Sequence, residues 1–240
     1  MTTRFLIFDA YGTLVELDDF YIRLQRGFAA KGVLLPLGTV TKAARKEMRY
    51  YISQTVFARE EADWIALKTQ CADVLANAIR EEEKSFDLPA KGVLPLLEDA
   101  LVFRVFPEVI SVLETFKARG IKMGVLSNWD FSLHRIFQSL RLSDYFSFIL
   151  PSSEVGVQKP DRAFFDHALQ LAQREYSDLQ RCECCYIGDH YDGDVIGARE
   201  AGMMPVWLVR NERDVASGAL HSDEGVLRIR DLRELTKLIV

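Results

Sequence analysis

Short apolar runs recur along this chain, separated by residues typical of helices and turns. The first run covers residues 4–8 and ends at Asp9. A continuous apolar run of this length is typical of a strand that is covered on both faces. Further strands are predicted at residues 122–126, 146–150, 184–187 and 205–209.

Helical patterns lie between these strands. The clearest covers residues 107–119, and two more are predicted over 161–173 and 194–201. The apolar stripe of the first consists of Val109, Val112, Leu113 and Phe116. Alternating strands and helices predict an α/β fold, a Rossmann-like parallel sheet with helices on both faces. Ligands of such sheets bind beyond the carboxyl ends of the strands.

The stretch from residue 15 to residue 103 has a different character. It is rich in helix-forming residues, and helical periodicity predicts helices over 41–57 and 60–80. We therefore expect an all-helical cap domain over residues 15–103. It would be inserted into a core domain made of residues 1–14 and 104–240.

Composition narrows the possible partners. The formal net charge of −5 gives no reason to expect nucleic acid as a partner, although a small anionic substrate stays possible. No apolar run approaches the roughly 20 residues of a membrane helix. The apolar run at residues 5–8 is too short for a signal peptide. We expect a cytoplasmic protein without a membrane partner, and the sequence gives no indication of oligomeric state.

The chain has four cysteines, and three of them crowd into Cys182-Glu183-Cys184-Cys185. Zinc sites normally separate ligands by two residues and take a second ligand pair from elsewhere in the chain. Neither feature is present. We favour reduced thiols that lead into a buried strand over a metal site.

Four polar segments fall at one edge of the predicted sheet. They are residues 9–14, Ser127-Asn128, Lys159-Pro160-Asp161 and residues 188–194. Their combination and order resemble the four signature motifs of the haloacid dehalogenase superfamily, over nearly the whole chain. The helical insert follows the first motif, which is the position of that family's first cap type. The resemblance implies a hydrolase that attacks its substrate with an aspartate.

The first segment offers a nucleophile. A carboxylate at a strand end can form a covalent intermediate, and the resemblance assigns this role to Asp9. The backbone amides of the turn that follows, which contains Tyr11, Gly12 and Thr13, offer donors to anionic oxygens. The alternative is that Asp9 has only a structural role, as a residue that favours turns.

The second and third segments offer further substrate contacts. The Ser127 hydroxyl and Asn128 are candidates to hold a phosphate, and Lys159 would stabilise the nucleophile and the transferring group. The alternatives are that Ser127 caps the next helix and that Lys159 is a solvated surface residue. For Asp130 we favour a helix cap.

The fourth segment adds carboxylates. Asp189 and Asp194 beside Asp9 would repel each other, and their pKa values would rise unless a cation lay among them. The resemblance implies that Mg²⁺ binds the Asp9 side chain, the Tyr11 carbonyl oxygen and Asp189. Asp194 would support the metal waters or Lys159 from outside, or begin a helix. His190 is expected to be a spectator rather than a base.

The pattern departs from the phosphatases of the family at one position. Those enzymes usually carry a second Asp two residues after the nucleophile, where this chain has Tyr11. A phenol can donate a proton but is a poor base at neutral pH. The first segment is instead similar to that of the L-2-haloacid dehalogenases. These need no metal and place a cap arginine near the halide, for which Arg45 or Arg49 is the candidate here.

The fourth segment favours the opposite conclusion, because the dehalogenases typically replace its acidic residues with Ser and Asn. This chain keeps Asp189 and Asp194. We therefore expect a Mg²⁺-dependent phosphatase acting on a small phosphorylated metabolite. The alternatives are a 2-haloacid dehalogenase and a weakly active or non-catalytic binding or regulatory protein. The sequence does not identify the substrate.

Overall fold

A computed structural model of the chain describes residues 3–210 and 226–239. The chain forms two compact units. One consists of Met1–Glu16 and Val105–Val240, and the other of Leu17–Arg104.

The strands of the described residues form two sheets. They are β1 Phe5–Phe8, β2 Val15–Leu17, β3 Phe103–Val105, β4 Lys122–Ser127, β5 Phe148–Pro151, β6 Cys184–Gly188, β7 Met204–Leu208 and β8 Leu227–Ile229. Six of them form one sheet in the order β5-β4-β1-β6-β7-β8, and all of its pairings are parallel. The predicted fold class is therefore confirmed. β2 and β3 pair in a sheet of their own.

The helices fall between and around these strands. They are α1 Phe20–Ala30, α2 Leu37–Gln54, α3 Glu61–Glu82, α4 Ala90–Ala100, α5 Val109–Ala118, α6 Ser132–Ser139, α7 Ser152–Val155, α8 Arg162–Ala172, α9 Gly197–Glu200 and α10 Leu235–Leu238. In the described parts of the chain, none is both long and apolar enough to cross a bilayer.

The sheet of the first unit is built around β1, whose side chains are all fully buried. Full burial explains why its sequence is continuously apolar rather than alternating. On one face of the sheet, Phe5 and Ile7 share a core cluster with Phe164 and Phe165 of α8. The predicted apolar stripe of α5 is also buried.

The second unit is a bundle of α1 to α4 around its own apolar core. Glu47 of α2 is buried beside the Cys71 thiol of α3, and its burial raises its pKa to about 7. Arg45 and Arg49 lie on the exposed side of α2, where they line a shallow groove.

Two of the three clustered cysteines begin a buried strand, as the sequence predicts. Cys184 and Cys185 are buried at the start of β6, Cys182 is exposed just before it, and none of the four forms a disulfide. Burial raises the pKa of Cys184 to about 12. At neutral pH these buried thiols are therefore inert.

Candidate active site

Three neighbouring strands bring the first, second and fourth polar segments together. β1 pairs with β4 on one side and β6 on the other, with Phe8 opposite Val125 and Ile187. The Asp9 amide continues the ladder by donating to the Ile187 carbonyl at 2.8 Å. Asp9, Ser127 and Asp189 therefore lie at the same sheet edge, as the strand order predicts.

Asp9 is buried at 5% exposure and held by two donors. The Ser127 hydroxyl donates to its Oδ1 at 3.0 Å, and Lys159 Nζ donates to the same oxygen at 2.6 Å. Ser127 therefore orients Asp9 rather than capping α6. Asp130, for which we favour a helix cap, lies just before α6, and its carboxylate accepts from the amide of Ser132, the first residue of that helix, at 2.7 Å.

Lys159 is only 6% exposed, so the alternative of a solvated surface lysine is wrong. Besides Asp9, its ammonium contacts Asp194 Oδ1 at 2.5 Å and the Tyr186 hydroxyl at 2.9 Å. Burial lowers the pKa of Lys159, but the charges of Asp194 and Asp9 outweigh that effect and raise it overall. The lysine is therefore a fixed positive charge inside the site.

The backbone of Lys159 is fixed by Asn128. The side-chain nitrogen of Asn128 donates to the backbone carbonyl of Lys159 at 3.0 Å, and its side-chain oxygen accepts from the backbone amide of Lys159 at 2.8 Å. The predicted role of Asn128 was substrate binding. The structure shows its side chain joining the second and third segments, and a substrate contact of Asn128 stays a prediction.

The fourth segment folds differently from the prediction. The helix expected to start near Asp194 is a π-helical turn, Tyr191–Ile196, followed by α9. His190 Nδ1 accepts from the Gly193 amide at 2.9 Å, and the His190 amide donates to Asp194 Oδ2 at 2.9 Å. The turn widens because the Asp194 side chain points back to Lys159 instead of starting a regular helix.

Glycine is required at two points around these carboxylates. Gly12 has a φ of +81°, and a Cβ there would lie 2.2 Å from Asp189 Oδ2. A Cβ on Gly188 would lie equally close to Asp194 Oδ2, at 2.2 Å. The carboxylates of the fourth segment therefore pack directly against backbone.

The loop of the first segment is anchored by Arg210, which the sequence analysis did not single out. Its guanidinium donates to the Gly12 carbonyl at 3.0 Å and the Thr13 carbonyl at 2.8 Å. It also pairs with buried Glu108 at 2.6 Å. Thr13 itself is fully buried, and its hydroxyl has no hydrogen-bond partner in the described part of the chain.

Tyr11 has a more open position. Its side chain is 40% exposed, and its ring meets the edge of Trp129 with centroids 6.4 Å apart. Trp129 directly follows the second segment. The exposed phenol is therefore next to the site rather than within the buried charge cluster.

Asp9, Asp189 and Asp194 each place a carboxylate oxygen within 4.8 Å of the others. Burial is the main cause that raises the pKa of Asp189 well above its usual value, followed by the charges of Asp9 and Asp194. Burial raises the pKa of Asp9 as well, although Lys159 opposes it. One lysine does not balance three carboxylates. Oxygen donors with surplus negative charge suit a hard divalent cation such as Mg²⁺.

The structure thus joins Asp9, Ser127, Lys159, Asp189 and Asp194 in one cluster. Arg45 belongs to the helical unit, so its predicted substrate contact stays a prediction. Two other contacts were missed by the sequence analysis. Tyr186 bonds Lys159 from the interior of β6, and Trp207 of β7 donates to the Asp189 carbonyl at 3.1 Å.

Comparison with known proteins identifies the family of the chain. Residues 3–202 match the family model described as haloacid dehalogenase-like hydrolase. The chain belongs to this family. Its fold is similar to that of the HAD-hydrolase YfnB from Bacillus subtilis, with a TM-score of 0.72, 15% identity and coverage of 100% of this chain and 99% of that one.

Three curated relatives match parts of the chain. Haloacid dehalogenase-like hydrolase domain-containing protein 3 of Bos taurus is 36% identical over 48% of this chain and 46% of its own length. Pyrimidine 5'-nucleotidase YjjG of Escherichia coli (strain K12) is 30% identical over 47% and 48%. Glyceraldehyde 3-phosphate phosphatase of Methanocaldococcus jannaschii is 27% identical over 57% and 58%. The chain thus spans about half the length of these relatives.

Proposed function

We propose that the chain is a Mg²⁺-dependent phosphatase that acts on a small phosphorylated metabolite. The observation that carries this proposal is the cluster of three carboxylates around one lysine. A metal-free dehalogenase has no use for the extra acidic groups, which would repel a carboxylate-bearing haloacid. Two of the similar proteins are named as a nucleotidase and a phosphatase, which supports the same class.

In this proposal Asp9 is the nucleophile. Ser127 and Lys159 both bond its Oδ1, so Oδ2 keeps no donor among the described residues and is the oxygen that attacks phosphorus. The bond between phosphorus and the ester oxygen breaks, and the alcohol leaves with a proton. Water then hydrolyses the aspartyl phosphate and regenerates Asp9.

The metal would be held by Asp9, Asp189 and the Tyr11 carbonyl. Asp194 is assigned to Lys159 instead, because its Oδ1 accepts from Lys159 and its Oδ2 from the His190 amide. When bound, Mg²⁺ supplies positive charge that offsets the negative charge of the phosphoryl group. The Gly12 and Thr13 amides are proposed to bind the phosphoryl oxygens.

The proton for the leaving alcohol is assigned to Tyr11. Its phenol is partly exposed, and Tyr11 lies two residues after Asp9 in the first segment. A phenol is a good donor but a poor base at neutral pH, so activation of water in the second step is expected to be slow. We therefore expect hydrolysis of the aspartyl phosphate to limit turnover.

Tyr11 is also the observation that favours a second function, 2-haloacid dehalogenation. There Asp9 would displace halide from carbon, and Arg45 of the helical unit would be the candidate halide contact. In either function the helical unit is proposed to select the substrate. The cytoplasmic location and the absence of a nucleic-acid partner stay predictions.

The two functions separate in one experiment. Purified protein is given p-nitrophenyl phosphate or L-2-chloropropionate, each with Mg²⁺ or with EDTA. We expect phosphate release that is lost on chelation, with Asp9→Asn reducing it at least about 1,000-fold because the nucleophile is gone. Asp192→Asn, which removes an exposed carboxylate from the fourth segment, is the control and should keep activity.

Halide release that is indifferent to EDTA would replace the phosphatase proposal with dehalogenation. Release of neither product would favour a binding or regulatory protein. In that case, ligand affinity should survive Asp9→Asn.

A further inference from the structure

Tyr186 is a buried polar side chain that the proposed mechanism does not use. It lies in the interior of β6, fully buried, opposite Ile7 of β1. Its ring packs edge-on against Phe165 with centroids 5.2 Å apart. The sheet and α8 therefore fix where its hydroxyl lies.

That hydroxyl touches groups from three separate segments. It accepts from Lys159 Nζ at 2.9 Å, and it is placed to donate to the Leu126 carbonyl at 3.0 Å or to Asp194 Oδ1 at 3.2 Å. Leu126 directly precedes Ser127, whose own hydroxyl bonds Asp9. A single phenol oxygen thus joins the strand end before Ser127 to the lysine and to the fourth segment.

The ammonium group of Lys159 needs three hydrogen-bond acceptors. An ammonium group carries three protons, and Lys159 has three acceptors: Asp9, Asp194 and Tyr186. Its four-carbon stem is flexible, so two carboxylates alone would leave the third proton without a fixed direction. Tyr186 supplies the third acceptor without adding another negative charge to an acidic cluster.

We propose that Tyr186 is a positioning residue that directs the Lys159 ammonium toward Asp9 and so sets the geometry of the nucleophile. It acts through Lys159 and touches neither substrate nor the reacting atoms. The consequence for turnover rests on the proposed phosphatase function. The bond to Lys159 is a property of the protein itself and can be tested separately.

The kinetic test compares Tyr186→Phe with Tyr176→Phe on p-nitrophenyl phosphate. The Tyr176 hydroxyl also lies near a backbone carbonyl, that of Gly120 at 3.5 Å, but outside the cluster. Tyr186→Phe is expected to lower kcat/KM, which reports the attack of Asp9 on phosphorus, roughly 10- to 100-fold, as for the loss of a hydrogen bond to a charged group. The effect on kcat should be smaller, because the later hydrolysis of the aspartyl phosphate limits turnover. Tyr176→Phe should keep both constants. Assays run well below the Tm of each variant separate this effect from simple loss of folding.

The direct test is the ¹H–¹⁵N spectrum of the lysine ammonium groups. The wild-type protein should show one slowly exchanging signal that Lys159→Gln removes, with a nuclear Overhauser contact to the Tyr186 ring. Tyr186→Phe should broaden or abolish that signal, whereas Tyr176→Phe should keep it.

Each outcome has a separate meaning. A Tyr186→Phe variant with kcat/KM within about twofold of wild type and an unchanged signal would overturn the positioning role. If Tyr186→Phe does not fold, absence of the ring contact in the wild-type spectrum would overturn it. A wild-type protein without phosphatase activity but with the expected signal changes would refute the proposed function and leave the bond to Lys159 intact.

Discussion

Both units of the molecule bury carboxyl groups, and they do so in different surroundings. In the α/β unit, Asp9 and Asp194 share Lys159, with Ser127 and the His190 amide as further donors. In the helical unit, Glu47 is also buried, but its neighbour is the weakly polar Cys71 thiol.

The contrast shows what a buried acid needs in order to stay charged. A carboxylate without a cation or several donors takes up a proton instead, because burial penalises its charged form. Glu47 does this near neutral pH. The cluster around Asp9 has a built-in cation, and its remaining negative charge suits an added one. The cluster around Asp9 therefore keeps charged groups inside the protein. The burial of Glu47 instead favours the neutral acid.

The largest effect is expected when Lys159 is removed. Lys159→Met should lower the unfolding free energy by about 3–5 kcal/mol at neutral pH in EDTA, because Asp9 and Asp194 lose their shared cation. Burial and the neighbouring carboxylates raise the pKa values of Asp9 and Asp189 above their ordinary value. Their protonation therefore favours the folded state, and the deficit should shrink as pH falls toward 5. Chemical denaturation at several pH values measures both effects.

A matched control is Lys122→Met, which removes an exposed lysine at the start of β4. It should leave stability nearly unchanged. If Lys159→Met proves as stable as wild type at neutral pH, the lysine is not what stabilises the acidic cluster.

A smaller effect is expected from neutralising the acid of the helical unit. The pKa of Glu47 is about 7 when folded, against an ordinary value of 4.5. The folded state therefore binds the proton more tightly, and stability contributed by the protonated form is lost as pH rises through 7. The unfolding free energy of Glu47→Gln, relative to that of wild type, should therefore increase by on the order of 2–3 kcal/mol from pH 5 to pH 8.

The measurement is the unfolding free energy of both proteins at the two pH values. Glu61→Gln, at an exposed position in the first turn of α3, serves as the control and should follow the wild-type pH dependence. Identical pH dependence of Glu47→Gln and wild type would mean that Glu47 does not take up a proton near neutral pH.

Much of the α/β unit was readable from sequence because its longer strands are largely apolar, and β1 and β6 are buried throughout. Continuous apolar runs located β1, β4, β5, β6 and β7 to within two residues. β2, β3 and β8 were missed because each has only three residues, too few to show any periodicity. The helix expected at Asp194 failed for another reason, since a contact to Lys159 35 residues away decides the direction of that side chain.

The same distinction holds for the site. Asp9 and Asp189 directly follow strands, and Lys159 stands beside a proline shortly before α8. A polar side chain is conspicuous at such positions. Tyr186 lies inside a strand, where an aromatic residue is an ordinary core residue. Its partners are known only once β6 is paired with β1 and Lys159 is placed. Arg210 bonds carbonyls about two hundred residues earlier in the chain, a contact that no local pattern indicates.

The smallest effect concerns His190, which lies beside the acidic cluster without sharing its charge. Its Nδ1 accepts from the Gly193 amide, which requires that nitrogen to be unprotonated, and this contact fixes the turn before Asp194. His190→Ala should therefore cost about 1 kcal/mol, as for the loss of a helix cap, and change kcat less than about threefold. His190→Asn, whose side-chain oxygen can accept the same bond, should recover most of the stability. A loss of activity of 100-fold or more in both variants, at unchanged stability, would instead make His190 the missing base. The α/β unit would then hold a catalytic group that does not contact Lys159.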